Sequence, residues 1–254
     1  MTIYNDVQFF RSTKKQPDRF YIVHYSCQNL NDDNEGLSPR VTSIAILHLG
    51  TGQVVSFSTH TVAEELGYGR DKVQERFDEI EQALLEKFFD FVKDRRAQTW
   101  VHWNMRNITY GFEHIEHRYR TLSKREPPTI PVEQRINLSD MLGSRFGADY
   151  AVDPKMLHLM DMNGGRHRHF LTGGEEVDAF KAREFIRMHQ STLSKVEFFR
   201  MVIDLVQRGK LNTGSNGFLN RADRLMESRW ARTTALVSSI VGIPASVVGM
   251  YLLF

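Results

Sequence analysis

Phe20–Cys27 reads FYIVHYSC and is followed, across a polar stretch, by RVTSIAILHL at residues 40–49. Both runs are rich in β-branched and aromatic residues and predict strands. Gly50-Thr51-Gly52 supplies a turn, and residues 53–58 (QVVSFS) predict a third strand returning as a hairpin. Residues 71–95 carry Val73, Phe77, Ile80, Leu84, Phe88 and Phe91 at helical spacing. TWVHW (99–103) predicts a short strand, and residues 110–122 a helix with Phe112, Ile115 and Tyr119 on one face. A short segment at 136–142 starts near Asn137, and a loop rich in Gly, His and Arg occupies 163–174. Helices are expected at 175–189 and 191–208, a polar hinge at 210–217 and a further helix at 218–232. Three strands, a helix, a strand and then helices predict an α/β fold, a mixed sheet with flanking helices.

The chain has 254 residues and a net charge of +2, with 25% charged and 11% aromatic residues. That composition excludes a polytopic membrane protein and a wholly disordered chain. One cysteine, Cys27, excludes an intramolecular disulfide framework and any multi-cysteine zinc site. A cytosolic address is expected for the soluble part. MTIYNDVQFF has no basic n-region and does not read as a secretory signal. No nucleotide-binding glycine motif, P-loop or nucleophile elbow is present.

All 64 charged residues lie in 1–232, and none lies in the 22 residues 233–254, TTALVSSIVGIPASVVGMYLLF. As a helix this stretch would be ~33 Å long, enough for a ~30 Å hydrocarbon core. Arg221, Arg224, Arg229, Trp230 and Arg232 precede it. Flanking arginines favour the cytoplasmic side, and Trp favours a membrane interface. The expected layout is a head at 1–190, a helical connector at 191–232 and a single inner-membrane span at 233–254, with the head in the cytoplasm. Ala235, Ser239, Gly242, Ser246 and Gly249 recur every three or four residues and form one small-residue seam. In lipid, such seams let helix backbones approach closely. Self-association into a homo-oligomeric pore is the functional expectation. A buried core helix and a monomeric anchor are the plainer ones.

The head resembles the DEDD-type exonuclease superfamily at three places. FYIVHYSCQNL (20–30) falls where that family has a strand carrying Asp-x-Glu. WVHWNMRNITYGFEHI (100–115) is similar to its His-Asn-x-x-Phe-Asp segment. EEVDAFKAREF (175–185) is similar to its His-x4-Asp-Ala helix. The resemblance spans about residues 18–190 and implies a ribonuclease-H-like sheet. The departures bear on activity. Two-metal nucleases need several carboxylates, because hard Mg²⁺ takes oxygen ligands. The first strand offers His24, Tyr25, Ser26 and Cys27. The second motif has Asn107, Thr109 and Tyr110 where Asp falls. The third keeps Asp178, with Gly173 in place of the general-base His. A head without nuclease chemistry and without a metal cofactor is expected. Asp32, Asp33, Glu113 and Glu116 form a substitute acid set, and His167, His169 and Asp161 an alternative metal set, each set against an ordinary solvated role.

Such a cleft still fits a nucleic-acid end. Tyr25, His102, Trp103, Asn104, Arg106 and Tyr110 are candidate contacts, with Trp100 and Phe112 beside them. Bases stack on aromatic rings with little sequence preference. Arg118, Arg120, Lys124 and Arg125 follow, and Arg166, His167, Arg168 and His169 make a second basic run. Each aromatic also has a reading as core, and Cys27 reads as structural.

A degenerate exonuclease-like head on an apolar tail looks like the membrane effectors of bacterial antiphage systems, the Hailong type in particular. That resemblance implies a head binding a single-stranded DNA or RNA oligomer made by a nucleotidyltransferase partner, and a tail that conducts when assembled. An active membrane-tethered 3′–5′ exonuclease and a tail-anchored protein-binding adaptor are the alternatives.

Overall fold

A computed structural model describes residues 4–29, 38–106 and 109–214. Five strands form one mixed sheet in the order β3-β2-β1-β4-β5. They are β1 (Phe20–Cys27), β2 (Val41–His48), β3 (Val54–Ser58), β4 (Thr99–His102) and β5 (Arg135–Asn137). β1 pairs antiparallel with β2, Tyr25 opposite Ile44, and β2 pairs antiparallel with β3. On its other side β1 runs parallel to β4, Tyr21 beside Trp100, and β4 parallel to β5. The hairpin between β2 and β3 turns through Gly52 at φ +71°, a conformation that costs glycine little. At Gly50 a Cβ would lie 1.9 Å from Asp18 Oδ1, so the turn packs on the chain entering β1.

Helices cover both faces. α3 (Phe77–Lys93) and α4 (Phe112–Ser123) lie on one, where Phe77, Ile80, Leu84 and Phe88 pack with Val23, Tyr25, Ile44 and Ile46. On the other, α1 (Asp6–Lys15), α5 (Leu138–Phe146) and α8 (Phe185–Gln207) bring Phe9, Leu142, Phe199 and Val202 onto Phe20, Ile22, Ala45 and Leu47. Alternate residues of β1 thus feed two cores. Double burial accounts for the nearly unbroken apolar runs of β1 and β2. The expected mixed sheet with flanking helices is present. α2 (Thr59–Glu65), α6 (Lys155–Met162) and α7 (Gly173–Lys181) complete the described α-helices.

Several expected boundaries move. The helix expected at 71–95 starts at Phe77. Residues 71–76, DKVQER, offer only Val73 to bury, so packing begins at Phe77 and Ile80. The helix expected at 175–189 is two helices. Arg183 takes φ +60°, and the Glu184 N–H closes on Ala179 O at 2.8 Å, which ends α7. α8 then runs 23 residues. The head–connector boundary drawn at 190/191 falls inside α8, and Ser191, Thr192, Lys195 and Val196 are buried. α1 was not foreseen; a capping box of Asn5 and Gln8 starts it.

The apolar tail, its seam of Ala235, Ser239, Gly242, Ser246 and Gly249 and the arginines before it lie outside the described residues. Among the described residues no helix is long and apolar enough to cross a membrane.

One buried ion pair ties α3, α4 and β2 together. The Glu81 carboxylate is fully buried and accepts from the Val41 N–H at 2.9 Å and from Arg118 Nε at 2.8 Å, with Nη2 on its second oxygen. Removing one partner leaves a buried charge alone, a loss of ~3–5 kcal/mol. Glu81→Ala is expected to lower the urea-unfolding free energy by about 3 kcal/mol or more. A loss below about 1 kcal/mol, the scale of an exposed pair, contradicts this account.

Candidate functional site

His24 and Ser26 lie on the β1 face that meets α8, one residue out of phase with Val23, Tyr25 and Cys27. Both are buried, as is Ser43 on β2. α8 covers them with a polar stretch in its apolar stripe: Ser191, Thr192 and Lys195, between Met188 and Phe199. α7 adds Glu176. Thr172 and Glu175 form the capping box of α7, so Glu175 serves the helix end while Glu176, its neighbour, points inward.

These side chains make one network. Lys195 Nζ donates to Glu176 Oε1 at 2.6 Å, with both side chains nearly inaccessible. The same oxygen accepts from Ser26 Oγ at 2.8 Å and Ser191 Oγ at 3.1 Å. Thr192 Oγ1 links Ser26 and Ser43 at 2.8 and 2.6 Å. The Ser191 hydroxyl also accepts the Leu171 N–H at 3.1 Å, fixing the loop before α7.

Above the network opens a cavity of about 220 Å³. His24, Glu176 and Lys195 reach it from the floor, and Trp103, Asn104, Tyr110 and Phe170 from the walls. Trp103, itself buried, stacks on Phe199, centroids 5.6 Å apart and planes 15° apart, and meets Tyr150 edge-on at 6.5 Å, so it lines the cavity as part of the core. The Tyr110 hydroxyl donates to Tyr25 O at 3.1 Å, and its ring stacks on Tyr25 at 4.6 Å. Tyr25 is itself fully buried. Its hydroxyl accepts the Gly111 N–H at 2.9 Å and meets His114 Nδ1 at 3.0 Å. Because His114 Nε2 lies 2.9 Å from the Pro39 carbonyl, that nitrogen carries the proton and Nδ1 accepts from Tyr25. Tyr25 therefore supports Tyr110 from below and does not reach the cavity.

The remaining expected contacts separate. Asn104, at φ +54°, lines the cavity and receives Arg106 Nη2 at 2.8 Å and Asn137 Nδ2 at 3.1 Å. Arg106 is exposed but also clasps Asp140 at 3.1–3.2 Å. His102 is buried one residue before Trp103, its Nδ1 accepting the Met105 N–H at 3.2 Å; it holds the turn without facing the cavity. Arg118 leaves the site, because its guanidinium is spent on Glu81 across the sheet. Trp100 and Phe112 belong to the core. Asp178 is exposed, and Glu176 takes the inward position two residues earlier.

Beside the cavity, sharing Phe170 and Leu171 with it, lies a basic pocket of about 270 Å³. Arg166, His167, Arg168, His169 and Arg187 line it. Arg166 pairs with Glu175 and donates to Phe170 O at 2.9 Å. His167 stands edge-on to Phe198, centroids 5.7 Å apart, with Nδ1 3.3 Å from Ser194 Oγ. Arg168 and His169 are exposed and have no partner among the described residues.

The alternative His167, His169 and Asp161 set does not come together among the described residues. Among the described residues no group of three or more His, Cys, Asp or Glu side chains is placed to hold an ion, His167, His169 and Asp161 included. Glu113 and Glu116 are both held by Arg135; Asp32, Asp33 and Asn107 lie outside the described residues. Compared with protein-family models, curated proteins and solved structures, the chain has no match.

Glu176 and Lys195 were absent from the expected site. Their signal is in the sequence: Lys195 sits on the stripe Met188, Thr192, Lys195, Phe199, Val202, where helical spacing calls for an apolar residue.

Burial, and then the ammonium of Lys195, holds His24 well below the ordinary imidazole range. Burial likewise pushes His102 down to about 3 from its ordinary 6.5. His102 is neutral in the fold at pH 5, whereas in the unfolded chain both histidines bind protons below about 6.5. The unfolded state then holds more protons, so stability is complete above pH 6.5 and is lost as pH falls. The His102 share of the slope should approach about 1.4 kcal/mol per pH unit between pH 6 and 4, with His24 acting in the same direction. His102→Asn, which keeps an acceptor for Met105, should remove one share of the slope in urea titrations. An unchanged slope contradicts the assignment.

Proposed function

We propose that this chain is a membrane effector of bacterial antiphage defence whose ribonuclease-H-like head holds a single-stranded DNA or RNA oligomer without cutting it. The sheet order supports the exonuclease-like reading. A meander antiparallel on one side of β1 and parallel strands on the other is the arrangement the sequence resemblance implies. The observation that carries the binding function is the Glu176–Lys195 contact beneath an aromatic cavity. A divalent ion in a nuclease needs carboxylate oxygens facing the scissile phosphate. Here the inward carboxylate already has a cation, and that cation is part of the chain. The exchange removes the repulsion between acids and phosphates while keeping the shape of the cleft.

The parts divide by chemistry. Trp103 and Tyr110 line the space that a base would enter, where stacking is worth ~1–3 kcal/mol per base. Arg166, Arg168 and His169 face the phosphates that continue from it. In this reading the tail assembles into a homo-oligomeric pore in the inner membrane, and a nucleotidyltransferase partner supplies the oligomer. Control follows from linkage: the oligomer must bind one assembly state of the tails more tightly than the other.

Two experiments test the parts separately. In gel shifts of the full chain in detergent, single-stranded oligonucleotide should be retained intact with and without Mg²⁺. Arg168→Glu should weaken retention and lower the slope of log affinity against log salt by about 1. Mg²⁺-dependent loss of labelled oligonucleotide contradicts the non-cutting head. For the tail, Gly242→Leu with Gly249→Leu should block close packing of the seam and abolish toxicity on expression. Undiminished toxicity rejects the seam.

A further inference from the structure

A larger cavity, of about 460 Å³, lies between α2, the loop at 66–73 and the α7–α8 corner. Its size falls within the ~300–1,000 Å³ of small-molecule sites. Ala63, Val73 and Phe185 line it and are buried, and Tyr68 adds a ring. Tyr68 is fixed by its hydroxyl, which donates to Glu79 at 2.7 Å, and by the Arg76 guanidinium 5.9 Å from its ring centroid.

The rim is charged. Arg187 and Glu184 bind each other at 2.8 Å and cancel. Arg70 and Arg183 remain, against a single carboxylate, Glu64. Neither guanidinium makes an ion pair or hydrogen bond among the described residues. Arg183 projects from a rigid corner, with its backbone at φ +60° and its N–H on Phe180 O at 3.0 Å. His60 also lines the cavity. Its Nδ1 meets Ser58 Oγ at 3.0 Å, and its ring leans on His189 at 5.1 Å, itself held by Ser56 Oγ at 2.9 Å. The Nε2 atom of His60 is left as a directional hydrogen-bonding group beside the apolar floor.

We infer that this cavity binds a small aryl phosphomonoester, with its flat body against Val73, Tyr68 and Phe185 and its phosphate on Arg70 and Arg183. Two unpaired guanidiniums against one carboxylate suit a dianion better than a monoanion, and guanidinium forks match phosphate oxygens in geometry. The inference is independent of nucleic-acid binding by the head.

Calorimetric titration of the full chain in detergent with 2-naphthyl phosphate tests it, with 2-naphthol, 2-naphthoate and inorganic phosphate as comparators. The aryl phosphate should bind at least about tenfold tighter than any of the three, the scale of charge-assisted hydrogen bonds added to apolar burial. Arg70→Glu with Arg183→Glu should weaken it by about tenfold or more at unchanged Tm, and Glu64→Gln should tighten it. Equal binding of naphthol and naphthyl phosphate, or affinity unmoved by the double charge reversal, overturns the proposal. Oligonucleotide retention by the same double variant reports on the head's other site and leaves the two readings separable.

Discussion

An ammonium and a carboxylate 2.6 Å apart, both nearly sealed from water, set the terms for the centre of this molecule. Burying either charge alone is costly, and burying both is tolerable only when the remaining lone pairs and protons find partners. Ser26 of β1 and Ser191 of α8 donate to the same carboxylate oxygen, Thr192 and Ser43 carry the hydrogen-bonded chain on to β2, and the ammonium lies 5.3 Å from the Phe170 ring centroid. Few other arrangements of α7 and α8 on the sheet would satisfy the pair, so it fixes where the cavity wall stands. Because the negative group at the floor is neutralised internally, what the cavity shows to a ligand is aromatic and apolar, and the net charge lies outside, on the 166–169 loop.

On the proposed reading, that division would let one fold hold a polyanion: phosphates would meet Arg168 at the surface, where a guanidinium keeps its hydration and costs little to maintain, while a base would enter the space lined by Trp103, Tyr110 and Phe170. The arginines that sequence proximity brought into the argument divide on the same principle. Arg106 and Arg118 have carboxylate partners, Asp140 and Glu81, and their charge is consumed by the fold. Arg168 has none.

The sheet was largely legible because FYIVHYSC and its neighbours are buried on both faces, and double burial writes continuous apolar runs into a sequence. The helical stripes of α3 and α4 were legible for the same reason. Boundaries were less so. Where α7 ends depends on a left-handed arginine, a residue type that carries no warning of that conformation. The site was legible in part: Trp103, Asn104, Tyr110 and the 166–169 run come together at two adjoining pockets. Tyr25 and His102 lie beneath the surface as supports, since neighbours on a strand point to opposite faces. Glu176 and Lys195 were hidden by their charge, which reads as solvent-facing until the helical stripe around Lys195 is laid out.

The central proposal is that the head holds a single-stranded oligomer over a cleft whose inward carboxylate, Glu176, carries the chain's own ammonium where a nuclease would carry metal ions. A structure of the full chain with a short single-stranded oligonucleotide, prepared in Mg²⁺, measures this most directly. The account predicts a base between Trp103 and Tyr110, a phosphate at Arg168 and Lys195 still on Glu176. Divalent ions bound at Glu176 with Lys195 displaced, or an oligonucleotide seated elsewhere, would contradict it.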